Sequence, residues 1–320
     1  MIKTCEFVTP KHPDKLCDLI ADSILDAYLR KDSQAHVAVE VMGGHKSVSV
    51  SGEIKSKIHL DIEKIVEKIM GKDYHVHLHV VKQSPFIAQG VDSGGAGDQG
   101  IMNGYACNET PSLMPYEYDL ARYLCREVYK KYPFDGKVQV TIEKSKIKYQ
   151  KSKILAVVAS FQNSKSKDLE KLVRKLVKAE KYFINAAGEW SMGGFDADTG
   201  LSGRKIVIDN YGPEVSVGGG SFSGKDYTKV DRSGAYMARK IAVDLLKKYN
   251  ALEVKTKLAY VIGVARPVMA EALVDGKIVK IPGNYDLTPY GICKLLKLNR
   301  PIYKKTARWG HFGNNFAWDK

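Results

Sequence analysis

The sequence has no apolar run of the roughly 18 residues that a membrane-crossing helix requires. Its opening residues, Met1-Ile2-Lys3-Thr4-Cys5-Glu6, hold no apolar signal core ahead of a small-residue cleavage site. Cysteine is sparse. Cys5, Cys17, Cys107, Cys125 and Cys293 are scattered, odd in number and without a CxxC pair. That spacing argues against a disulfide framework and against a zinc site, and the five read as reduced thiols filling small gaps. No recognised DNA- or RNA-binding motif is visible. These absences lead to the expectation of a cytoplasmic protein with neither membrane nor nucleic acid as partner.

What is present suits a soluble globule of two or three domains: 320 residues, 44% hydrophobic and 27% charged. The formal net charge is +14. Such an excess suits nucleic acid, an acidic membrane surface or a small polyanion, but much of it lies in short runs such as Lys165-Ser166-Lys167 and Lys304-Lys305, which read as solvated surface.

One pattern occurs three times. Residues 13–30 carry Leu16, Leu19, Ile20, Ile24, Ala27 and Tyr28 at helical spacing, and Val37, Val39, Val41, Val48 and Val50 then alternate as a strand pair around Gly43-Gly44. A helix over 59–70 and a strand over 74–81 complete the unit. The succession returns with helix 116–131, strands 137–144 and 153–161 and helix 167–180, then with helix 229–248, strands 257–265 and 268–274 and a helix near 288–298. The fold class expected is α/β of the α+β type: three similar helix-covered sheet domains, over residues 1–92, 93–192 and 193–320. Glycine-rich connections lie between the units.

Those connections hold the candidate chemistry. From Gly219 the chain reads G-x-x-x-x-G-K through Lys225, the start of a phosphate-cradling loop, but Asp226 stands where a P-loop needs Ser or Thr. The alternative is a glycine turn opening the next helix. His12-Pro13-Asp14-Lys15 suits a helix start, and also supplies an imidazole beside a carboxylate able to hold Mg²⁺. Gly95-Ala96-Gly97-Asp98-Gln99-Gly100 is a loop that can approach a ligand closely, or a tight crossover. Asp198-Thr199-Gly200-Leu201-Ser202-Gly203-Arg204-Lys205 places two cations ahead of an expected strand at Ile206-Val207-Ile208-Asp209, fit to grip polyphosphate or to end as an exposed basic strand. His75, His77 and His79 share one strand face, with no carboxylate or Cys spacing to support a metal site. Trp309, Phe312, Phe316 and Trp318 read as docking the chain end onto the core.

HPDK, GAGDQG followed by Asn108-Glu109-Thr110, D-x-G-L-S-G-R-K and GGGSFSGKD-x-x-K-V-D-R-S occur together and in one order. Nearly end to end, including Lys82-Gln83-Ser84-Pro85, Arg300-Pro301-Ile302-Tyr303-Lys304 and Gly310-His311-Phe312-Gly313, the chain resembles the bacterial-type S-adenosylmethionine synthetases. The resemblance implies three domains around a pseudo-threefold. It implies a reaction in which the methionine sulfur attacks C5′ of ATP and expels the triphosphate, which is then cleaved to pyrophosphate and phosphate. A thioether has no proton to lose, so such a reaction needs alignment and charge stabilisation rather than a nucleophilic triad.

By the same resemblance, His12, Lys137, Arg204, Lys205 and Lys225 are the catalytic set, with His12 beside the C5′ oxygen. Asp135, Trp190 (on adenine), Asp198 and Ser221 complete the ATP contacts. Glu53, Gln83, Asp98, Asp198 and Lys229 are expected at methionine. Asp14 and Asp231 are expected to ligate Mg²⁺, two ions per site, and Glu40 to ligate K⁺. A homodimer with shared sites is implied, with a tetramer as a dimer of dimers. Lys11 departs from the usual Gly and Phe86 from the usual Asp. The span 83–95 is shorter than the usual lid, which leads to the expectation of a more open methionine pocket. A regulatory homologue that binds S-adenosylmethionine without making it would be expected to lose His12, Lys225 and the paired acids; all are present.

Overall fold

In the computed structural model of the chain, residues 1–84, 94–144 and 152–320 are described. Strand β1 (Ile2–Val8) leads into helix α1 (Pro13–Lys31), hairpin strands β2 (His36–Gly44) and β3 (Ser47–Lys55), helix α2 (Ile62–Met70) and strand β4 (His75–Lys82). The succession repeats as β5 (Gly100–Cys107), α3 (Tyr116–Lys131), β6 (Gly136–Glu143), β7 (Lys153–Phe161), α4 (Ser166–Leu176) and β8 (Lys181–Ile184). The last stretch holds β9 (Gly200–Leu201), a single turn α5 (Ile206–Asp209), α6 (Val230–Tyr249), β10 (Glu253–Tyr260), β11 (Met269–Val274), β12 (Lys277–Val279), α7 (Pro289–Leu296) and α8 (Tyr303–Trp309).

Three four-stranded sheets result, in the orders β1-β6-β7-β8, β5-β10-β11-β12 and β9-β2-β3-β4. Each stretch therefore gives its first strand to the sheet of another, in a closed cycle. β1 runs antiparallel to β6, from Ile2 opposite Glu143 to Val8 opposite Lys137. β5 runs antiparallel to β10, and β9 meets β2 at Met42 and Gly43. The three helix-covered sheets and their common strand order match the architecture expected from the triple pattern.

Sequence reading missed the exchanged strands. β5 reads Gly-Ile-Met-Asn-Gly-Tyr-Ala-Cys, and its glycines suggest a loop. Gly104 is instead a close-approach residue: a Cβ there would sit 2.2 Å from the Ala238 carbonyl carbon of α6. The strand expected at 206–209 is the helical turn α5. The left-handed Gly203 (φ 80°) turns the chain back, Asp209 N–H donates to the Lys205 carbonyl at 2.8 Å, and the Asp209 carboxylate meets Lys15 in the interior. Those contacts override the β preference of Ile206, Val207 and Ile208.

Helix α1 runs through the middle of this arrangement. His12 caps it, its Nδ1 accepting the Asp14 N–H at 3.2 Å, and Pro13 occupies the first turn. Leu16, Ile20, Ile24 and Leu25 pack in the core shared with Val37, Val39, Val41, Val48 and Val50 of β2 and β3. Asp14, Asp18, Asp22 and Asp26, spaced one turn apart, are buried as well. Asp26 caps α8, accepting the amides of Tyr303 and Lys304 at 2.9 and 3.0 Å. The chain end docks as expected: Trp318 stacks on Tyr236 at 3.8 Å, and Asp319 pairs with Arg239 at 3.0 Å. All five cysteines are buried and free. Among the described residues no helix is long and apolar enough to cross a membrane.

The contact between β5 and α6 has a direct test. Gly104→Ala should lower stability by about 1–3 kcal/mol through overpacking. Gly283→Ala, where a Cβ meets no heavy atom within 4 Å, should stay within about 0.5 kcal/mol. Equal urea midpoints for the two variants would contradict the observed approach.

Candidate active site

The candidate residues fall into two groups on one chain. The first surrounds the start of α1. His12 is pushed down to about 4, by burial first and then by the charge of Lys205, so its ring is neutral near pH 7. With Nδ1 accepting the Asp14 amide, the ring proton belongs on Nε2. Asp14 Oδ1 accepts the Leu201 N–H at 2.9 Å and Oδ2 accepts from Lys205 Nζ at 2.5 Å, while Arg204 Nε lies 3.7 Å away. Burial would raise this carboxyl; the Lys205 and Leu201 hydrogen bonds more than offset it and hold it below its ordinary range.

Asp135 joins the same group, its Oδ2 accepting the Gly194 N–H at 3.0 Å. On the sheet, Lys137 lies opposite Ser160, whose Oγ accepts from Trp190 Nε1 at 3.0 Å. The charges of Lys137 and exposed Asp198 both reach His12. Beside Arg204 and Lys205 opens a cavity of about 330 Å³, also lined by Thr4, Glu6 and Gln139.

The second group surrounds the start of α6. Gly219 and Gly220 lie against the Asp231 carboxylate, Gly220 so closely that a Cβ there would lie 2.4 Å from its Cγ. Asp231 Oδ2 accepts from Lys225 Nζ at 2.8 Å. Lys225 forms a bridge with Ala38 of β2, two residues from Glu40, and Glu40 accepts the Ser202 hydroxyl. Lys229 donates to the fully buried Asp226 at 2.7 Å. The Gly97 amide donates to the Thr228 carbonyl at 3.0 Å, drawing half-buried Asp98 toward Lys229. Gln83 Oε1 lies 3.3 Å from His36 Nδ1, and the Ser84 amide donates to Glu53 Oε2 at 3.4 Å. Gln83 Nε2 is a buried donor with no partner among the described residues, as is the hydroxyl of Ser221. Phe86 and most of the short lid span lie outside the described residues.

Models of the S-adenosylmethionine synthetase N-terminal, central and C-terminal domains match residues 1–84, 93–190 and 192–320. The chain belongs to the S-adenosylmethionine synthetase family. It is a methionine adenosyltransferase that makes S-adenosylmethionine from ATP and methionine. The family uses divalent and monovalent cations. Among the described residues no three His, Cys, Asp or Glu side chains converge as a metal cluster. The available hard donors are single carboxylates: Asp14 with its cationic neighbours, and Asp231 in its glycine cradle. His75, His77 and His79 lie exposed on edge strand β4 and form no such cluster.

Asp198, expected at both substrates, lies with His12 rather than with Glu53 and Gln83. Asp14 and Asp231, expected together at metal, sit in separate pairs with separate lysines. Sequence reading gave no role to Lys15, Asp18, Asp22, Asp226 and Arg232, all almost fully buried in or beside the motifs. Acids recurring every fourth residue along the apolar pattern of α1 were the available signal. Lys15 meets Asp209 and, at 3.6 Å, Asp18. Burial works against its charge, but the two carboxylates prevail and raise it; the same burial raises Asp209, and the second acid makes ammonium the favoured state of Lys15.

Removing Lys15 would leave two buried carboxylates without their cation. Lys15→Met should therefore cost about 3–5 kcal/mol of stability, read from the urea midpoint. A loss under about 1 kcal/mol would show that the synthetase does not depend on this ion pair.

Proposed function

We propose that this synthetase binds ATP and methionine in a site assembled from two copies of the chain, one giving the His12 group and the other the Lys225 group. The supporting observation is that Asp14 and Asp231, the two carboxylates expected at Mg²⁺, occupy separate pairs within one chain. Roughly two turns of α1, about 12 Å at 1.5 Å per residue, separate Asp14 from the carboxylate of Asp22, which holds the Lys225 loop. Each group alone lacks part of what the reaction needs. A homodimer is then the minimum active unit, and pairing of dimers gives a tetramer.

In this reading the first group takes the nucleotide. Trp190 stacks on adenine, Asp135 and Asp198 contact the adenosine, and Lys137, Arg204 and Lys205 meet the triphosphate. Neutral His12 presents its Nε2–H to the oxygen leaving C5′. In the second group, Lys225 and Ser221 meet phosphate. Glu53, Gln83, Asp98 and Lys229 hold methionine, whose carboxylate suits the unpartnered Gln83 amide donor and whose ammonium suits Glu53 or Asp98. The sulfur is neutral and needs no base, so these residues contribute alignment and stabilisation of negative charge on the departing triphosphate. Mg²⁺, two ions per site, would be held by Asp14 and Asp231 and would supply charge neutralisation to the polyphosphate; K⁺ would be held by Glu40. The same phosphate-binding side chains, Lys137, Arg204, Lys205 and Lys225, would hold the triphosphate while water cleaves it to pyrophosphate and phosphate. The presence of His12, Lys225, Asp14 and Asp231 together favours catalysis over mere S-adenosylmethionine binding.

The test is complementation. His12→Asn and Lys225→Met should each abolish most S-adenosylmethionine formation. Co-expression of the two inactive chains should restore about a quarter of the wild-type rate, because half of the random dimers carry one intact site. No recovery in a verified mixed dimer would refute the shared site.

A further inference from the structure

Two short segments that the structure brings near α1 repeat one design. Ser202-Gly203-Arg204 and Ser223-Gly224-Lys225 each place a glycine with φ 80° immediately before a cation. In each, the glycine amide donates to a buried aspartate of α1: Gly203 to Asp18 Oδ1 at 2.9 Å, and Gly224 to Asp22 Oδ1 at 2.9 Å. Asp18 and Asp22 are one helical turn apart. Neither glycine accepts a side chain. A Cβ at Gly203 would lie 2.4 Å from Ser221 Oγ, and one at Gly224 would lie 2.1 Å from the Val39 carbonyl oxygen. The segments are also joined to each other, since the Ser223 hydroxyl bonds to Asp18, the aspartate that holds Gly203.

The second segment is held most firmly. Arg232 grips Asp22 with two nitrogens, at 2.7 and 2.8 Å, and its Nη1 also donates to the Lys225 carbonyl at 3.2 Å. Arg232 directly follows Asp231, the partner of the Lys225 ammonium. Both ends of the Lys225–Asp231 pair are thus tied to one fully buried guanidinium, and through it to Asp22.

We propose that Asp18 and Asp22 are positioning residues for the adenosyl transfer: each seats a left-handed glycine, and so fixes where the following cation, Arg204 or Lys225, meets the triphosphate. One turn of α1 then sets the spacing between the two cationic segments of each chain. Neither aspartate touches substrate; each acts through the peptide that it holds. The inference rests on the assignment of Arg204 and Lys225 to phosphate given above.

A double-mutant cycle separates these two claims. Arg204→Met and Lys225→Met are measured first, and wild-type kcat in both would refute the phosphate assignment itself. Asp22→Asn, shown folded by circular dichroism and thermal unfolding, should lower kcat about tenfold or more while KM for methionine stays within about twofold. The double variant Asp22→Asn/Lys225→Met should be no slower than Lys225→Met alone, because Asp22 acts through Lys225. The same non-additivity is expected for Asp18→Asn with Arg204→Met, and this arm decides the matter if Asp22→Asn fails to fold. Multiplying losses in the cycles, or wild-type kcat in the folded aspartate variants, would overturn the positioning role. Failure of both aspartate variants to fold would assign the two residues to the scaffold and overturn it equally.

Discussion

A row of four carboxylates buried along one helix constrains everything around it. Moving a carboxylate out of water costs several kcal/mol, recovered only when its oxygens are bonded in good geometry. Asp14, Asp18, Asp22 and Asp26 meet that requirement with partners from four places far away in sequence: the amides of Leu201, Gly203, Gly224, and of Tyr303 with Lys304. Helix α1 is therefore less a covering layer than a shared anchor. Loops that would otherwise be free to wander are fixed to it, and three of the candidate catalytic cations, Arg204, Lys205 and Lys225, lie within a residue or two of those fixed amides.

The threefold construction explains why two similar acid–lysine groups exist on one chain. Asp14 lies in the first turn of α1, and Asp231 in the first turn of α6, the helix at the matching place in the last stretch. Both carboxylates favour the positive end of a helix, and both stand against a lysine that follows a glycine-rich segment. The middle stretch carries Glu117 at the corresponding place on α3, where its carboxylate faces Lys3 at 3.5 Å. One architecture thus yields two acid–lysine pairs in the candidate site and a third that ties β1 to α3.

Much of this was legible in the sequence, for physical reasons that also mark where legibility ends. The valines of β2 and β3 and the apolar spacing of α1 and α3 report burial on one face, and a single burial pattern suffices to reveal them. β1, β5 and β9 are strands because of partners in other stretches, and no local pattern records a partner; two glycines in β5 even argue the other way. The β-branched run at 206–208 was misread because the deciding contacts, Gly203 behind it and Lys15 beneath it, are tertiary. In the candidate site, the motifs pointed to the residues that the structure gathers into two groups, whereas Asp18, Asp22 and Arg232 remained hidden. Their role is visible only once Gly203, Gly224 and the Lys225 carbonyl are seen to converge on them.

Native-state hydrogen exchange, resolved by residue, tests the anchoring role of α1 most directly. The amides of Leu201, Gly203, Gly224, Tyr303 and Lys304 should exchange as slowly as the interior amides of α1 and should be released together with them, in the global unfolding event. Exchange of these amides at the rate of unprotected loop positions, while α1 itself stays protected, would contradict the account.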